Sequence, residues 1–412
     1  MKMKSGKIWL SGILAGILLA TAGCDDPTKN DDDNGGGGTG PSQPEIITTF
    51  SLGDETYGYG MDKTDSGNFI TAGYVIPSQK TKKEMFLAEI SPKGEKLWSQ
   101  TYGTYGDAEA HDVVALRNGG SLIAGAAEIS DVLGMQMYLA ETDNNGRLVW
   151  SRAFGGSGSD GANAVAKTAD RIILAGWTDS YKNSPGYTDM FLTATDLAGN
   201  PVWPQPVAFG GPYSDSANDV VPFGKPLTEG YLAVGRYGTN DLMTNRLYVV
   251  MTDVDGKKKW ERKYGSGSES MIGYSVREIP DSGFVITGVY NSDPLASGDK
   301  LLLMKIDYNG NIRWKHTYGE CLIGYSLDLT DDGGFIVTGS TVNTANGQIE
   351  LCMLRTDADG KVKKASSFPV AANPNTVGTA VRQSTKDDFV AAGYTMDWNN
   401  KGKMVFVNTS LP

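Results

Sequence analysis

Apolar residues in this chain come in short runs of about five to seven, each ended by a turn signal. The stretch from Lys300 to Gly339 shows the unit most cleanly. It holds an apolar strand (Leu301 to Ile306), the turn Asp307-Tyr308-Asn309-Gly310, and a strand around Trp314 that ends in Tyr318-Gly319. A strand from Tyr325 to Leu329, the turn Asp331-Asp332-Gly333-Gly334 and a strand from Phe335 to Thr338 complete it. The runs are too short and too regularly interrupted for helices, and no 3.6-residue periodicity competes with them.

Three markers count the copies. A glycine closing an apolar strand recurs at Gly73, Gly125, Gly176, Gly235, Gly288, Gly339 and Gly393, a period of 51 to 59 residues. A turn glycine four residues before a tryptophan recurs as Gly94/Trp98, Gly146/Trp150, Gly199/Trp203, Gly256/Trp260 and Gly310/Trp314, whereas the sixth copy pairs Gly360 with Lys364. An aromatic-glycine pair follows each of these tryptophans, from Tyr102-Gly103 to Tyr318-Gly319. Each copy therefore predicts four strands, here called a to d in order. In the second copy these are Asp112 to Leu116, Ser121 to Ala124, Met137 to Thr142 and Arg147 to Phe154. Four-stranded units at this spacing are propeller blades. The expected fold is all-β, a seven-bladed β-propeller.

Two details sharpen that expectation. The third copy's last strand reads Asn200-Pro201-Val202-Trp203-Pro204-Gln205-Pro206, and three prolines are tolerated only on an edge strand. The seventh copy reaches its third strand at Met404 to Thr409, while Glu45 to Gly53 begins where a fourth strand would stand. The N-terminal strand is expected to complete the last blade and close the ring, since an unclosed one would leave strand edges and apolar faces bare.

Composition fits tight-turned β structure, with 40% apolar residues and 53 glycines. The formal charge is -11, and without the leader lysines Lys2, Lys4 and Lys7 it is 34 − 48 = -14. That balance argues against a nucleic-acid or anionic-membrane partner. Three cysteines and two histidines leave little material for metal or thiol chemistry.

The first residues give an address. Lys2, Lys4 and Lys7 precede the apolar run Ile8 to Ala20, which is too short to span a bilayer. Residues 1–23 read as a signal peptide. Thr21-Ala22-Gly23-Cys24 resembles the bacterial lipobox, with Thr21 where leucine is usual, and this implies acylation of Cys24. Residues 24–44 then form the acylated cysteine and an acidic, glycine-rich tether without core-forming residues, and residues 45–412 the propeller. Acidic residues directly after the cysteine resemble the surface-export signals of Bacteroidetes lipoproteins, which implies an outer-membrane, cell-surface location. The periplasmic face is the alternative.

With the blades in place, the repeats resemble those of bacterial and archaeal seven-bladed propellers. Their blades read D-G-G-[FY]-[IV]-[VI]-[AT]-G, then [FL]-[VL]-x-[KE]-x-D-x-x-G-x-x-x-W-x-x-[TA]-[YF]-G. The D-x-x-G-x-x-x-W segment also looks like the tryptophan-docking motif of quinoprotein and BamB-type propellers. The repeat also reinterprets motifs that look chemical. Gly156 to Gly161 matches G-x-G-x-x-G but leads into a strand, where no helix N-terminus meets a phosphate. Asp253 to Gly256 and Asp357 to Gly360 resemble calcium loops but sit at c–d hairpins, so turn chemistry is expected and no metal or cofactor is assigned. The repeat tryptophans are expected in the core. Cys352 is expected as a buried, inert thiol, with a Cys321–Cys352 disulfide as the alternative in an oxidising compartment.

The functional expectation is a monomeric, lipid-anchored, non-enzymatic binding or scaffold module for a glycan or protein. The alternatives are a propeller enzyme, glycosidase-like or quinone-dependent, and a BamB-like assembly scaffold. An enzyme should show polar residues breaking the repeat at matching heights in adjacent blades. The candidate ligand-binding residues are the non-repeated aromatics Tyr74, Trp177, Tyr394 and Trp398, placed with Tyr181 in variable b–c loops. Tyr74, Tyr394 and Trp398 are expected to form one aromatic platform.

Overall fold

The computed structural model of the chain describes residues 45–181, 186–225, 229–240, 244–294, 298–370 and 375–412. The leader, Cys24 and the tether lie outside the described residues. All the described residues belong to one compact unit, Gln43–Pro412. The described residues are all-β.

The strands come in fours. After β1 (Ile46–Phe50), one antiparallel sheet takes β2 (Glu55–Lys63), β3 (Phe69–Ile76), β4 (Glu84–Ile90) and β5 (Lys96–Tyr102). The next takes β6 (Ala108–Ala115), β7 (Ser121–Glu128), β8 (Met135–Thr142) and β9 (Leu148–Phe154). A third takes β10 (Asp160–Lys167), β11 (Ile172–Thr178), β12 (Asp189–Thr195) and β13 (Val207–Phe209), and a fourth β14 (Ser216–Phe223), β15 (Gly230–Gly238), β16 (Asn245–Thr252) and β17 (Lys258–Tyr264). The fifth takes β18 (Ser270–Ile279), β19 (Gly283–Asn291), β20 (Lys300–Ile306) and β21 (Ile312–Tyr318). The remaining eight strands form one sheet. In it, β22 (Ile323–Leu329), β23 (Phe335–Val342), β24 (Ile349–Thr356) and β25 (Val362–Phe368) meet β26 (Asn375–Gln383), β27 (Asp388–Met396) and β28 (Gly402–Ser410) through one parallel bridge, Ile349 to Asn375. β1 lies antiparallel on β28, from Ile46 opposite Asn408 to Phe50 opposite Met404. The first strands of successive fours pack side by side, and β26 packs against β2.

The recurring glycine of each second strand has a steric cause. Opposite it, the first strand carries a bulge: Ala162 pairs with Gly176, Ala164 with Ala175, and Asn163 is extra. The same slip occurs opposite Gly73, Gly125, Gly235, Gly288, Gly339 and Gly393. The bulge brings a carbonyl so close that a Cβ on Gly176 would stand 1.9 Å from Gly161 O. Only glycine admits that approach.

Second and third strands are buried along most of their length, and Phe86, Phe191, Tyr248 and Phe406 on the third strands are fully enclosed. Each such ring removes about 150–250 Å² from water. Fourth strands expose alternate pairs. The third fourth-strand is the exception: Pro201, Pro204 and Pro206 leave only Val207–Phe209 paired along β12, plus one bridge from Thr195 to Pro201. The predicted Asn200 to Pro206 strand is thus mostly not a strand, because prolines donate no ladder hydrogen bonds.

Trp203 is buried in the core, and Trp98, Trp150, Trp260 and Trp314 are half-buried and packed against it, where they also dock on the neighbouring unit. A Cβ on Gly146 would lie 2.5 Å from the Trp98 ring, one on Gly199 2.7 Å from Trp150, and one on Gly360 3.3 Å from Trp314. Each tryptophan therefore lies on the turn glycine of the following four strands. The hydroxyls of Tyr264 and Tyr318 donate to the carbonyls of Gly310 and Gly360 at 2.6 Å. Gly94 of the first four is covered instead by Thr48 and Ile46 of β1.

Cys321 and Cys352 form a disulfide, with Cα atoms 6.0 Å apart, so Cys352 is not the inert thiol expected. Strand β24 brings Cys352 beside the segment entering β22, and both residues are buried.

Candidate functional site

The c–d turns hold the aspartates that resemble calcium ligands. Asp253 Oδ1 accepts the backbone N–H of Asp255 and Lys257, and Asp357 Oδ1 those of Asp359 and Lys361. This is turn chemistry, and the positive φ of Gly256 and Gly360 completes it. The Gly156 to Gly161 loop is pinned by Asp160, whose Oδ2 accepts Gly156 N at 3.0 Å, and it enters β10.

Among the described residues the same turn form appears once on the opposite side, between β27 and β28. Asp397 Oδ1 accepts the N–H groups of Asn399 and Lys401, Asn400 N donates to Asp397 O, and Asn400 has the positive φ that glycine has elsewhere. The turn lifts Trp398 into solvent at 75% exposure. Among the described residues its indole N–H has no hydrogen-bond partner. Beside it lies a cleft of about 220 Å³ lined by Asn346, Gly347, Gln348, Asn375, Asp397 and Asn400. The cleft sits at the bridge between β24 and β26, with Asn346 and Gln348 hydrogen-bonded to each other from the β23–β24 loop.

The expected platform of Tyr74, Tyr394 and Trp398 is corrected. Tyr74, Trp177 and Tyr394 lie on β3, β11 and β27 and are buried, because the second strands continue past their glycines instead of opening into loops. Tyr74 and Tyr394 do come together through Tyr57, at ring-centroid distances of 4.8 and 5.2 Å. Tyr57 then donates its hydroxyl to Asn400 O at 3.1 Å, so the cluster supports the Trp398 turn from below. Burial pushes the Tyr394 hydroxyl up to about 12. Trp177 covers Gly161, and Tyr181, more exposed, stacks on Phe191 at 5.7 Å.

A second site was missed by sequence reasoning. The bulged residues of the first strands, Tyr59, His111, Asn163, Asn218, Tyr274, Tyr325 and Thr379, border a cavity of about 410 Å³ that all these strands line. Several clamp the adjacent strand. His111 Nδ1 bonds Ala162 O at 2.7 Å, Asn163 Nδ2 donates to Ala217 O and Asn218 Nδ2 to Gly273 O, both at 2.8 Å, and Thr379 Oγ1 donates to Gly58 O at 3.0 Å. One residue further along, Asp112 accepts Val165 N and Asp219 accepts Val276 N, both at 2.9 Å. Burial, with Asp219 adding to it, pushes Asp112 up to about 7. Glu109 behaves oppositely: burial raises it, but His111 and Lys83 outweigh that and hold it near 2. The signal was present as a repeated small-polar-apolar pattern, such as Ala110-His111-Asp112-Val113 and Ala217-Asn218-Asp219-Val220.

No family model matches the chain. No curated protein matches it in sequence. Among solved structures, a Dyadobacter fermentans protein of unknown function is similar at 11% identity, covering 89% of this chain and 98% of that one with a TM-score of 0.52. The β-propeller domain of the Trilobed protease from Pyrococcus furiosus is similar at 10% identity, covering 87% and 96% with a TM-score of 0.45. Pyrococcus horikoshii acylaminoacyl peptidase matches at 9% identity over 86% of this chain and 53% of its own, with a TM-score of 0.43. These likenesses concern the fold, which is all-β and propeller-like.

The expectation that the chain is not an enzyme is corrected. The exclusion rested on seeing no polar residues at matching heights, whereas Asp112, Asp219, Ser275 and Ser326 hold one equivalent position after the bulge.

Proposed function

We propose that the chain is a lipoprotein anchored through Cys24, whose seven-bladed propeller, closed by β1 as the last blade's outer strand, binds a glycan at the Trp398 cleft. The pairing of β1 with β28, and its cover over Gly94, support the closure. The single observation that carries the binding reading is an exposed indole held on a supported turn beside a cleft of amides and one carboxylate. An aromatic face stacks on the C–H face of a sugar ring, while amides offer paired donors and acceptors to its hydroxyls. An acidic protein with such a cleft suits a neutral glycan better than an anionic one. The reading places the propeller on the outer membrane at the end of its tether, facing the cell surface.

The test is a glycan array probed with the full chain and with Trp398→Ala. Loss of the bound spots in the variant, at unchanged melting temperature, supports the site, whereas an identical pattern places binding elsewhere. Cys24→Ala, assayed for fatty-acid incorporation and membrane fractionation, tests the anchor separately.

A further inference from the structure

The cavity bordered by the first strands pairs both of its arginines with carboxylates. Arg382 Nε lies 3.1 Å from Asp62 Oδ1, and an Arg277 guanidinium nitrogen lies 3.0 Å from Asp219 Oδ2. Asp328 Oδ1 stands 3.9 Å from Arg277 Nε. These side chains face open space, since their exposure runs from 16% for Asp219 to 26% for Asp62. Tyr274 and Tyr325 add an aromatic wall, with ring centroids 5.0 Å apart.

Each ligand class meets this wall differently. A cation finds Asp62 and Asp219 occupied by guanidinium groups and Asp112 by the N–H groups of Val113 and Val165, and an anion finds Arg277 and Arg382 occupied by carboxylates. A neutral ligand with adjacent hydroxyls can donate one O–H to a carboxylate and accept an N–H from its arginine without breaking either pair. Its C–H face then has the tyrosine wall to lie against. A volume of about 410 Å³ suits a small ring compound, within the roughly 300–1,000 Å³ usual for small-molecule sites.

We propose that this cavity is a second binding site, specific for a neutral polyhydroxylated ligand the size of a mono- or disaccharide. It stands on the cavity's own residues and not on the Trp398 cleft.

The experiment uses saturation-transfer NMR on the full chain carrying Trp398→Ala, so that the cleft contributes nothing. The probes are glucose, galactose, mannose and N-acetylglucosamine, with inorganic phosphate and spermidine as charged controls. Transfer to at least one sugar is expected, with affinity falling about tenfold or more when Arg277→Gln or Asp328→Asn is added. Asp328→Asn decides if Arg277→Gln lowers the melting temperature, because among the described residues Asp328 accepts one hydrogen bond, from Leu329 N next to it, and approaches Arg277 Nε no closer than 3.9 Å. Absence of transfer to every sugar overturns the proposal. So does sugar binding unchanged in both variants, or binding of phosphate or spermidine with which no sugar competes.

Discussion

The two ends of the strands are built to different rules. At the c–d end five turns, from Asp143 to Asp357, repeat one design, an aspartate accepting two backbone N–H groups and a glycine of positive φ under a neighbour's tryptophan, while Gly94 of the first turn lies under β1. Among the described residues of the b–c end that design occurs only at Asp397 to Lys401, with Asn400 for glycine and Trp398 pointing to solvent. Tyr105, Val132, Tyr181 and Tyr187 are also exposed in connections at this end. Repetition at the c–d end is what docking each unit on the next requires. Variation at the b–c end is tolerated because its contacts, such as Tyr57 on Asn400, follow no repeated docking design, and such loops on a rigid scaffold are where binding evolves.

The comparison breaks most severely if the proposed closure is removed. Deleting Glu45 to Gly53 takes away the five paired positions between β1 and β28 and uncovers Gly94. The expected outcome is loss of a cooperative thermal transition and aggregation, read by calorimetry and light scattering. A deletion mutant that melts like the parent would refute the closure.

The disulfide comes next in size. Its half-cystines are 31 residues apart, and closing a loop of that order constrains the unfolded chain by about 3–4 kcal/mol in the chain-entropy treatment. Cys321→Ser combined with Cys352→Ser should lower the denaturation midpoint accordingly, with a denaturant slope that rises as the freed unfolded chain exposes more surface. A midpoint shift below about 1 kcal/mol would show that the bond contributes little.

Docking at the c–d end gives a paired prediction. Trp150→Ala removes a ring lying on Gly199 and an indole N–H donated to Glu141 at 2.9 Å, and should cost about 2 kcal/mol for a half-buried aromatic. Lys364→Trp, which restores the repeat's residue in the sixth copy, should gain nothing beyond about 0.5 kcal/mol. The outer neighbour of β28 is β1 and not a strand returning through a c–d turn, so no turn glycine awaits that ring. A clear gain from Lys364→Trp would mean that tryptophan stabilises its own sheet rather than the junction.

The docking logic also explains what could be read from the chain. Gly73 to Gly393, Trp98 to Trp314 and the turn aspartates recur because every unit makes the same contacts, so strand count, strand order and the outer place of Glu45 to Gly53 were legible. Lys364 looked like decay of the repeat, and its cause lies in a neighbour supplied from the other end of the chain. Tyr74, Trp177 and Tyr394 were misplaced because a strand running past its glycine looks the same in sequence as a loop beginning there. The bulged residues escaped notice for a related reason. A bulge turns Asn163 or Asn218 toward the cavity without changing the local alternation that a strand pattern reports.

The smallest expected change in stability belongs to the residue with the largest expected effect on binding. Trp398 is three-quarters exposed, and its turn is held by Asp397, Asn400 and the Tyr57 hydroxyl, none of which needs the indole. Trp398→Ala should therefore leave stability within about 0.5 kcal/mol, as at a surface site. Tyr57→Phe tests the support separately. It removes a hydroxyl that donates to Asn400 O at 3.1 Å but leaves the indole in place, so glycan binding should weaken by less than in Trp398→Ala. Binding lost in Trp398→Ala and only reduced in Tyr57→Phe, with both proteins melting close to wild type, would assign recognition to the indole and positioning to the tyrosine cluster beneath it. Equal binding in all three proteins would show the b–c end to be as structural as the c–d end, and the contrast between the two would then concern sequence variation only.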